Sequence, residues 1–307
     1  MASALSQLRR LVRPNYAPPA CQFRCLQRFH ANSAWIVRFF YVASLLFSYQ
    51  FINALSHRNP DQAYFLWPVK WLEIGNLKQL LVAVPIALFV INCATVFRPE
   101  SRTFRALFAL FALFAAAADN SFGAINHGWH IWFWISLILV FLPDRFAAAD
   151  RGRRLTTLSI MVYVQASILL TYSMAGSQKL MAGIKSLIAG EAGNFSVTGF
   201  ASLLADRMTQ GRGTTVLGGF LVDHPGLGFP LFVFVILVQT LSFPVAFFPR
   251  LHQAWGLLLI GFHLGTGLLM DIYFPTHVLW LALFLVCSPF FVSRVQAERS
   301  RSRLVAE

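Results

Sequence analysis

The chain has 307 residues, 57% of them hydrophobic and 12% charged, about half the ~25% charged share of soluble domains. This excludes an ordinary soluble domain and predicts an all-α polytopic membrane bundle, because helices satisfy their own backbone in lipid. The formal charge of +13 does not mark a nucleic-acid binder. Most of the arginines are scattered over five separate segments on one side of the topology derived below.

Residues 1–32 carry arginines without an apolar core, and Pro14, Pro18 and Pro19 interrupt them. They read as a basic amphipathic cytoplasmic segment, not a cleaved signal peptide. Phe23, Leu26 and Phe29 recur at helical spacing with Arg24 and Arg28 between them, which predicts a short helix lying on a membrane surface. Cys21 and Cys25 lack the CxxC pairing of a metal site and read as bland thiols ahead of lipidation or metal binding. Cys93 and Cys287 fall inside apolar runs, so no disulfide framework is expected.

Eight membrane helices follow in residues 33–293. Their predicted spans are Trp35–Leu55, Leu80–Phe97 with Pro85 inside, Phe104–Ala118, Trp129–Leu142, Leu155–Ala175, Phe229–Phe248, Trp255–Met270 and His277–Val292. The third and fourth fall below the ~20 residues that a bilayer asks for. A glycine-rich loop at 176–228 is too long for a turn and suits either a lid or a surface-lying linker. Two helical pieces are expected in it, Lys179–Ile188 and Gly199–Met208. A basic cytoplasmic tail at 294–307 ends the chain.

Charge orients these spans. With both termini in the cytoplasm, the inner segments hold eighteen basic residues against five acidic ones, and the outer segments hold seven of each sign. The whole surplus then lies inside, as the positive-inside rule requires. This predicts a multi-pass protein of the inner (plasma) membrane.

Polar residues converge on the outer ends of the helices. Gln165, Tyr172 and Lys179 recur every seven residues, so they share one face with a drift of roughly 20° per step. His127 and His130 open the fourth helix. His263, Gly267 and Asp271 stand at four-residue steps in the seventh, His277 opens the eighth, and Gln239 lies in the sixth. Ionisable groups at that depth usually face the bundle interior and mark function. Bland readings stand beside this one. From Arg154 to Lys179 a helix rises about 37 Å, so Lys179 reaches the interface and could serve as an anchor. His127 and His130 sit among belt tryptophans, and Asp271 could cap a helix. The small pair Gly261 and Gly265 predicts a close helix contact around His263. No HExxH or cysteine pairing supports a metal site, and none is predicted.

The order of these motifs resembles the HTTM (horizontally transferred transmembrane) family, related to the membrane part of vitamin K-dependent gamma-glutamyl carboxylase. The matching residues are Arg38 in the first helix, Asn126-His127 before the fourth, Leu142-Pro143-Asp144 after it, and Tyr172 through Ala175-Gly176-Ser177-Gln178-Lys179-Leu180. Phe262-His263-Leu264-Gly265 followed by Phe274-Pro275 completes the set.

The resemblance implies a helical bundle with an outer-facing site. It implies Lys179 as a base toward a reduced, vitamin K-like quinone, with His127 or His130 assisting. Tyr172, Gln165, Gln239, His263, Asp271 and His277 are the candidate substrate-binding residues. An amine in a low-dielectric site can act as a neutral base. The chain departs from the carboxylases in lacking a large lumenal domain. It also has Phe195 and Phe200 where a tryptophan is expected, and Gln239 where a glutamate is expected. Carboxylation of protein glutamates is therefore not implied.

The expected partners are membrane lipid, a lipid-soluble quinone, and a protein or peptide at the outer face, with no nucleic acid. Two functions stay open at this point: an enzyme of this kind, and a non-enzymatic membrane factor for maturation, export or immunity of a partner protein. A transporter fits less well, because no internal repeat or pair of broken helices is visible.

Overall fold

A computed structural model describes residues 19–123, 127–147, 150–210 and 215–290, with side chains from Leu26 onward. Every element among them is helical. The first helix, α1, runs Pro19–Ser56 without a break. The surface helix expected at 20–30 is thus the start of the first span, since no glycine or proline separates them. The side chains of Cys21 and Cys25, Asn126, and the tail after Phe290 lie outside the described residues.

Helices α2 (Leu77–Phe97) and α3 (Arg102–Asn120) form an antiparallel pair against α1. Pro85 is accommodated inside α2. Helix α4 is short, His130–Leu139, and follows a single 3-10 turn at His127–Trp129. Helix α5 spans Arg151–Ala189, about 58 Å long and nearly twice the ~30 Å apolar layer. The piece expected at Lys179–Ile188 is its continuation, so Lys179 is a mid-helix residue. Gly190, at φ 69°, ends the helix in the left-handed conformation that glycine adopts without a Cβ penalty.

Beyond it come α6 (Gly199–Thr209), α7 (Val216–Asp223) and α8 (Pro225–Thr240), with a bend of 108° between α7 and α8. A four-residue turn of helix, α9 (Ser242–Val245), leads to α10 (His252–Met270). The last element, α11 (Pro275–Leu281), widens into a π segment at Ala282–Val286.

Among the described residues, five helical stretches are long and apolar enough to cross a membrane, or six if α7 and α8 form one bent span. The eight spans expected from the apolar runs are not all of that length. The fourth run yields only α4, and the eighth yields α11 with its π segment.

The core is aromatic. Phe40, Phe47, Phe51, Phe108, Trp132, Trp280 and Phe284 are buried and meet mostly edge to face or tilted, geometries that favour the ring quadrupoles. Ser44 and Ser48 place two hydroxyls on one face of α1 at helical spacing. Ser44 accepts from the Trp132 indole at 2.9 Å, and Ser48 accepts from the Asn92 amide at 3.0 Å. The buried Arg105 guanidinium donates to the carbonyls of Pro99 (2.8 Å) and Leu142 and lies over the Phe146 ring. Loop carbonyls thus meet both terminal nitrogens of a charge that would otherwise be costly to desolvate, while Nε has no hydrogen-bond partner among the described residues.

Glycine packing differs from the sequence expectation. A Cβ on Gly261 or Gly265 would meet nothing within 4 Å. Helix α10 buries His252, Gly256, Leu259, His263 and Gly267, and Gly261 and Gly265 lie on the opposite side of that face. The close contact is instead at Gly176, where a Cβ would stand 2.7 Å from Gln239 Cβ and nearer still to the Thr240 nitrogen. Gly176→Ala should therefore lower the thermal midpoint, by the equivalent of about 1–3 kcal/mol of overpacking. Gly265→Ala should leave the midpoint unchanged or raise it. Equal sensitivity at both positions would contradict this assignment.

Candidate functional site

The α5–α8 approach at Gly176 organises the polar groups near it. Helix α8 ends at Thr240, and Ser173 Oγ donates to the Thr240 carbonyl at 2.8 Å. The same Oγ accepts from the Phe243 N–H at 2.8 Å. One serine of α5 thus satisfies both sides of the α8–α9 break, where helix ends leave backbone groups without partners.

One turn beyond Gly176, Lys179 Nζ donates to Gln239 Oε1 at 2.7 Å and lies 5.9 Å from the centroid of the Phe262 ring. The amine is half-buried, and among the described residues it makes no ion pair. The segment after α5 folds back over this turn. Asn194 Nδ2 donates to the Lys179 carbonyl at 2.8 Å, and Phe195 packs where Gly183 has no side chain.

Two turns before Lys179 on the same face, the buried Tyr172 hydroxyl bonds His263 Nε2 at 2.6 Å. His263 Nδ1 has no partner among the described residues. The imidazole ring stands 5.0 Å from that of His277 and 5.2 Å from that of Phe274, centroid to centroid. His263 also lies within electrostatic reach of Lys179. His277 is buried at the start of α11.

His127 and His130 form a second pair, with Nδ1 atoms 3.4 Å apart. Both lie within electrostatic reach of His277. His127 is exposed, His130 half-buried, and His277 and His263 buried. The histidines therefore run from the molecular surface into the bundle. Thr276 Oγ1 donates to the Gly128 carbonyl at 3.1 Å, which ties the start of α11 to the 3-10 turn that carries His127.

The structure thus brings together Lys179, Gln239, Tyr172, His263 and His277, with His130 and His127 adjoining. Two candidates fall elsewhere. Gln165 lies about 21 Å along α5 from Lys179. Its amide donates to the Phe284 carbonyl at 2.7 Å and to Ser288 Oγ at 3.1 Å. The π segment explains this bond. A π ladder would pair the Phe284 carbonyl with residue 289, which is proline and has no N–H. Gln165 supplies the missing donor and is a packing residue. Asp271 is exposed and caps α10 with φ 55°, a left-handed conformation that aspartate tolerates better than most residues. It takes no part in the cluster.

The link from Asp119 to Arg58 and Trp129 escaped the sequence reading, which took Trp129 only as the start of a span and a belt residue. The buried Asp119 carboxylate accepts from Arg58 Nη2 at 3.3 Å and from Trp129 Nε1 at 3.2 Å. Asp119 thereby fixes the turn between His127 and His130. The available signal was an acid immediately after the alanine run of α3, one residue past the predicted end of that helix.

Chemically, the cluster offers an amine held by a neutral amide, a phenol, and a series of imidazoles reaching the surface. Such a set can bind a hydroxylated aromatic ring and move its proton. Among the described residues no three His, Cys, Asp or Glu side chains are grouped to hold a metal ion. No family model, no curated protein and no solved structure matches the chain.

Proposed function

We propose that this chain is an integral membrane enzyme of the HTTM type that uses Lys179 as a base toward a reduced, quinone-like lipid at the outer membrane face. The observation that carries this reading is the Lys179–Gln239 bond of 2.7 Å without any carboxylate partner among the described residues. An anchoring lysine gains from water or from an acid. This one is half-buried with no carboxylate to fix its charge, and the neutral acceptor and aromatic face stand ready for the ammonium that proton transfer would form.

In the proposed step, the Lys179 nitrogen takes the proton of a quinol hydroxyl. The O–H bonding pair stays on oxygen, giving the quinol anion and an ammonium group. Gln239 Oε1 accepts a hydrogen bond from that ammonium, and the Phe262 face attracts its charge. The Tyr172–His263 pair and His277 border the ring, while His130 and His127 lead to the surface. These roles share one physical logic: neutral donors and acceptors fixed by packing meet charge where it develops.

The reading includes eight spans with both termini cytoplasmic. Helices α4 and α11 are short, but Trp132 and Trp280 within them are fully buried. Helices enclosed by longer neighbours need not match the thickness of the lipid. The skewed distribution of arginines supports the orientation.

Two measurements test this proposal. Cysteines at Ser202→Cys, exposed on α6, and at Ser302→Cys should react with impermeant reagent from opposite sides of intact cells. Labelling of both from one side removes the topology. Absorbance spectra of solvent extracts of the purified protein should show a lipid-soluble quinone, and the protein should bind added naphthohydroquinone. A protein free of quinone and indifferent to the added quinol supports the non-enzymatic membrane factor instead.

A further inference from the structure

Between α1 and α2, residues 57–76 form a segment with 3-10 turns at Pro60–Gln62 and Lys70–Ile74. Its inward side chains Phe65, Val69 and Leu72 are buried in the same core as α1 and α3. Its backbone is tied to the end of α3. The Tyr64 N–H donates to the Ser121 carbonyl at 2.8 Å, and the Leu66 N–H donates to Ser121 Oγ at 3.1 Å. The outward side chains are apolar as well. Tyr64, Trp67 and Ile74 are 83%, 87% and 89% exposed. Trp71 is 40% exposed and meets the Phe114 ring edge to face at 5.6 Å.

The neighbouring helices set the depth of this segment. Helix α3 rises about 28 Å from Arg102 to Asn120, and α2 rises about 31 Å from Leu77 to Phe97. Each length matches the ~30 Å apolar layer. Because the pair is antiparallel, the exposed Arg98 and Arg102 mark one boundary of that layer, and Leu77 and Ser121 mark the other. Residues 57–76 therefore lie at the second boundary.

Two constraints meet there. An irregular backbone needs water for its polar groups and does not stand in hydrocarbon. Four large apolar side chains gain by leaving water. The headgroup region serves both, and Trp and Tyr, with an apolar body and a polar tip, are enriched at that depth. The exposed charges nearly cancel, with Lys70 and Lys78 against Asp61 and Glu73, and Arg58 is paired with Asp119. The surface is thus not built for a strongly charged partner.

We propose that residues 64–74 are an interfacial anchor, a rigid segment that presses Tyr64, Trp67, Trp71 and Ile74 into the headgroup and glycerol region of the lipid leaflet. The same end of α3 carries Asp119, so the anchor also sets the depth of the turn that bears His127 and His130. The proposal requires only that α2 and α3 cross the membrane and is independent of Lys179.

The test uses the full chain in phosphatidylcholine vesicles. Emission of Trp67 is read as the difference between the unmutated chain and its Trp67→Phe variant. Ile74→Trp adds an indole at the most exposed of the four positions, so the answer does not hang on one variant folding. Both signals should be shifted to the blue of tryptophan in water. Both should be lost to lipids brominated on the acyl chains, most with bromines nearest the glycerol, and be quenched by aqueous iodide less than free tryptophan is. Strong iodide quenching without lipid quenching would overturn the proposal and leave the segment in water, open to a soluble partner. Insensitivity to both quenchers would also overturn it, by showing a face covered by protein, such as a second copy of this chain. Greatest loss with bromines at the chain ends would contradict an interfacial position.

Discussion

The candidate site depends on how closely α5 and α8 approach at Gly176. Any side chain there would run into Gln239 and Thr240. The missing Cβ lets α8 come near enough for Gln239 to meet Lys179 one turn further on. Ser173, on the preceding turn, then holds the broken backbone that follows Thr240. Small residues permit this kind of approach between helices in lipid, where no hydrophobic force drives helices together. Packing and polar pairing are therefore coupled, and a change at residue 176 displaces the partner of residue 179.

The same economy of polar groups recurs through the bundle. Several buried side chains meet a gap left by a neighbouring element. Gln165 serves a carbonyl stranded by Pro289, Ser44 and Ser48 serve Trp132 and Asn92, and Asp119 serves Trp129 and Arg58. Leaving one such group unpaired typically costs 1–3 kcal/mol, so these contacts fix helix register as well as add stability. Other buried atoms have no hydrogen-bond partner among the described residues, among them Tyr41 Oη, Thr240 Oγ1, Trp280 Nε1 and His263 Nδ1, and of these only His263 Nδ1 belongs to the candidate cluster. Its position between Tyr172 and His277 accords with a group kept available for a ligand.

Much of this was legible in the chain. Apolar runs located the helices, and the seven-residue step from Tyr172 to Lys179 correctly put both on one face of α5. A lone histidine in an apolar run correctly signalled a buried partner for His263. What stayed hidden depended on tertiary neighbours. Gly176 and Gly265 look alike in sequence, and only the packing face of each helix tells which one needs to be small. Gln165 shares the Tyr172 stripe, but its partner arises from a π segment and a proline more than a hundred residues later. Asp271 keeps helical spacing with His263, yet the helix ends there and turns it outward. The length of α5 was underestimated because the span was ended at Ala175, just before Gly176, a residue type that usually weakens a helix, whereas Gly176 here lies mid-helix, packed against Gln239 and Thr240.

The central claim is that Lys179 acts as an amine that gives up its proton, and not as a charge that anchors α5. Lysine and arginine separate these roles, since both carry charge and reach but a guanidinium does not deprotonate in proteins. The decisive measurement compares quinol turnover by the unmutated chain and by Lys179→Arg in lipid bilayers, alongside their thermal midpoints. The account predicts an unchanged midpoint and turnover reduced by roughly 10²–10⁴-fold, the usual contribution of a general base. Turnover near that of the unmutated chain in the arginine variant would contradict it and leave Lys179 as an interfacial anchor.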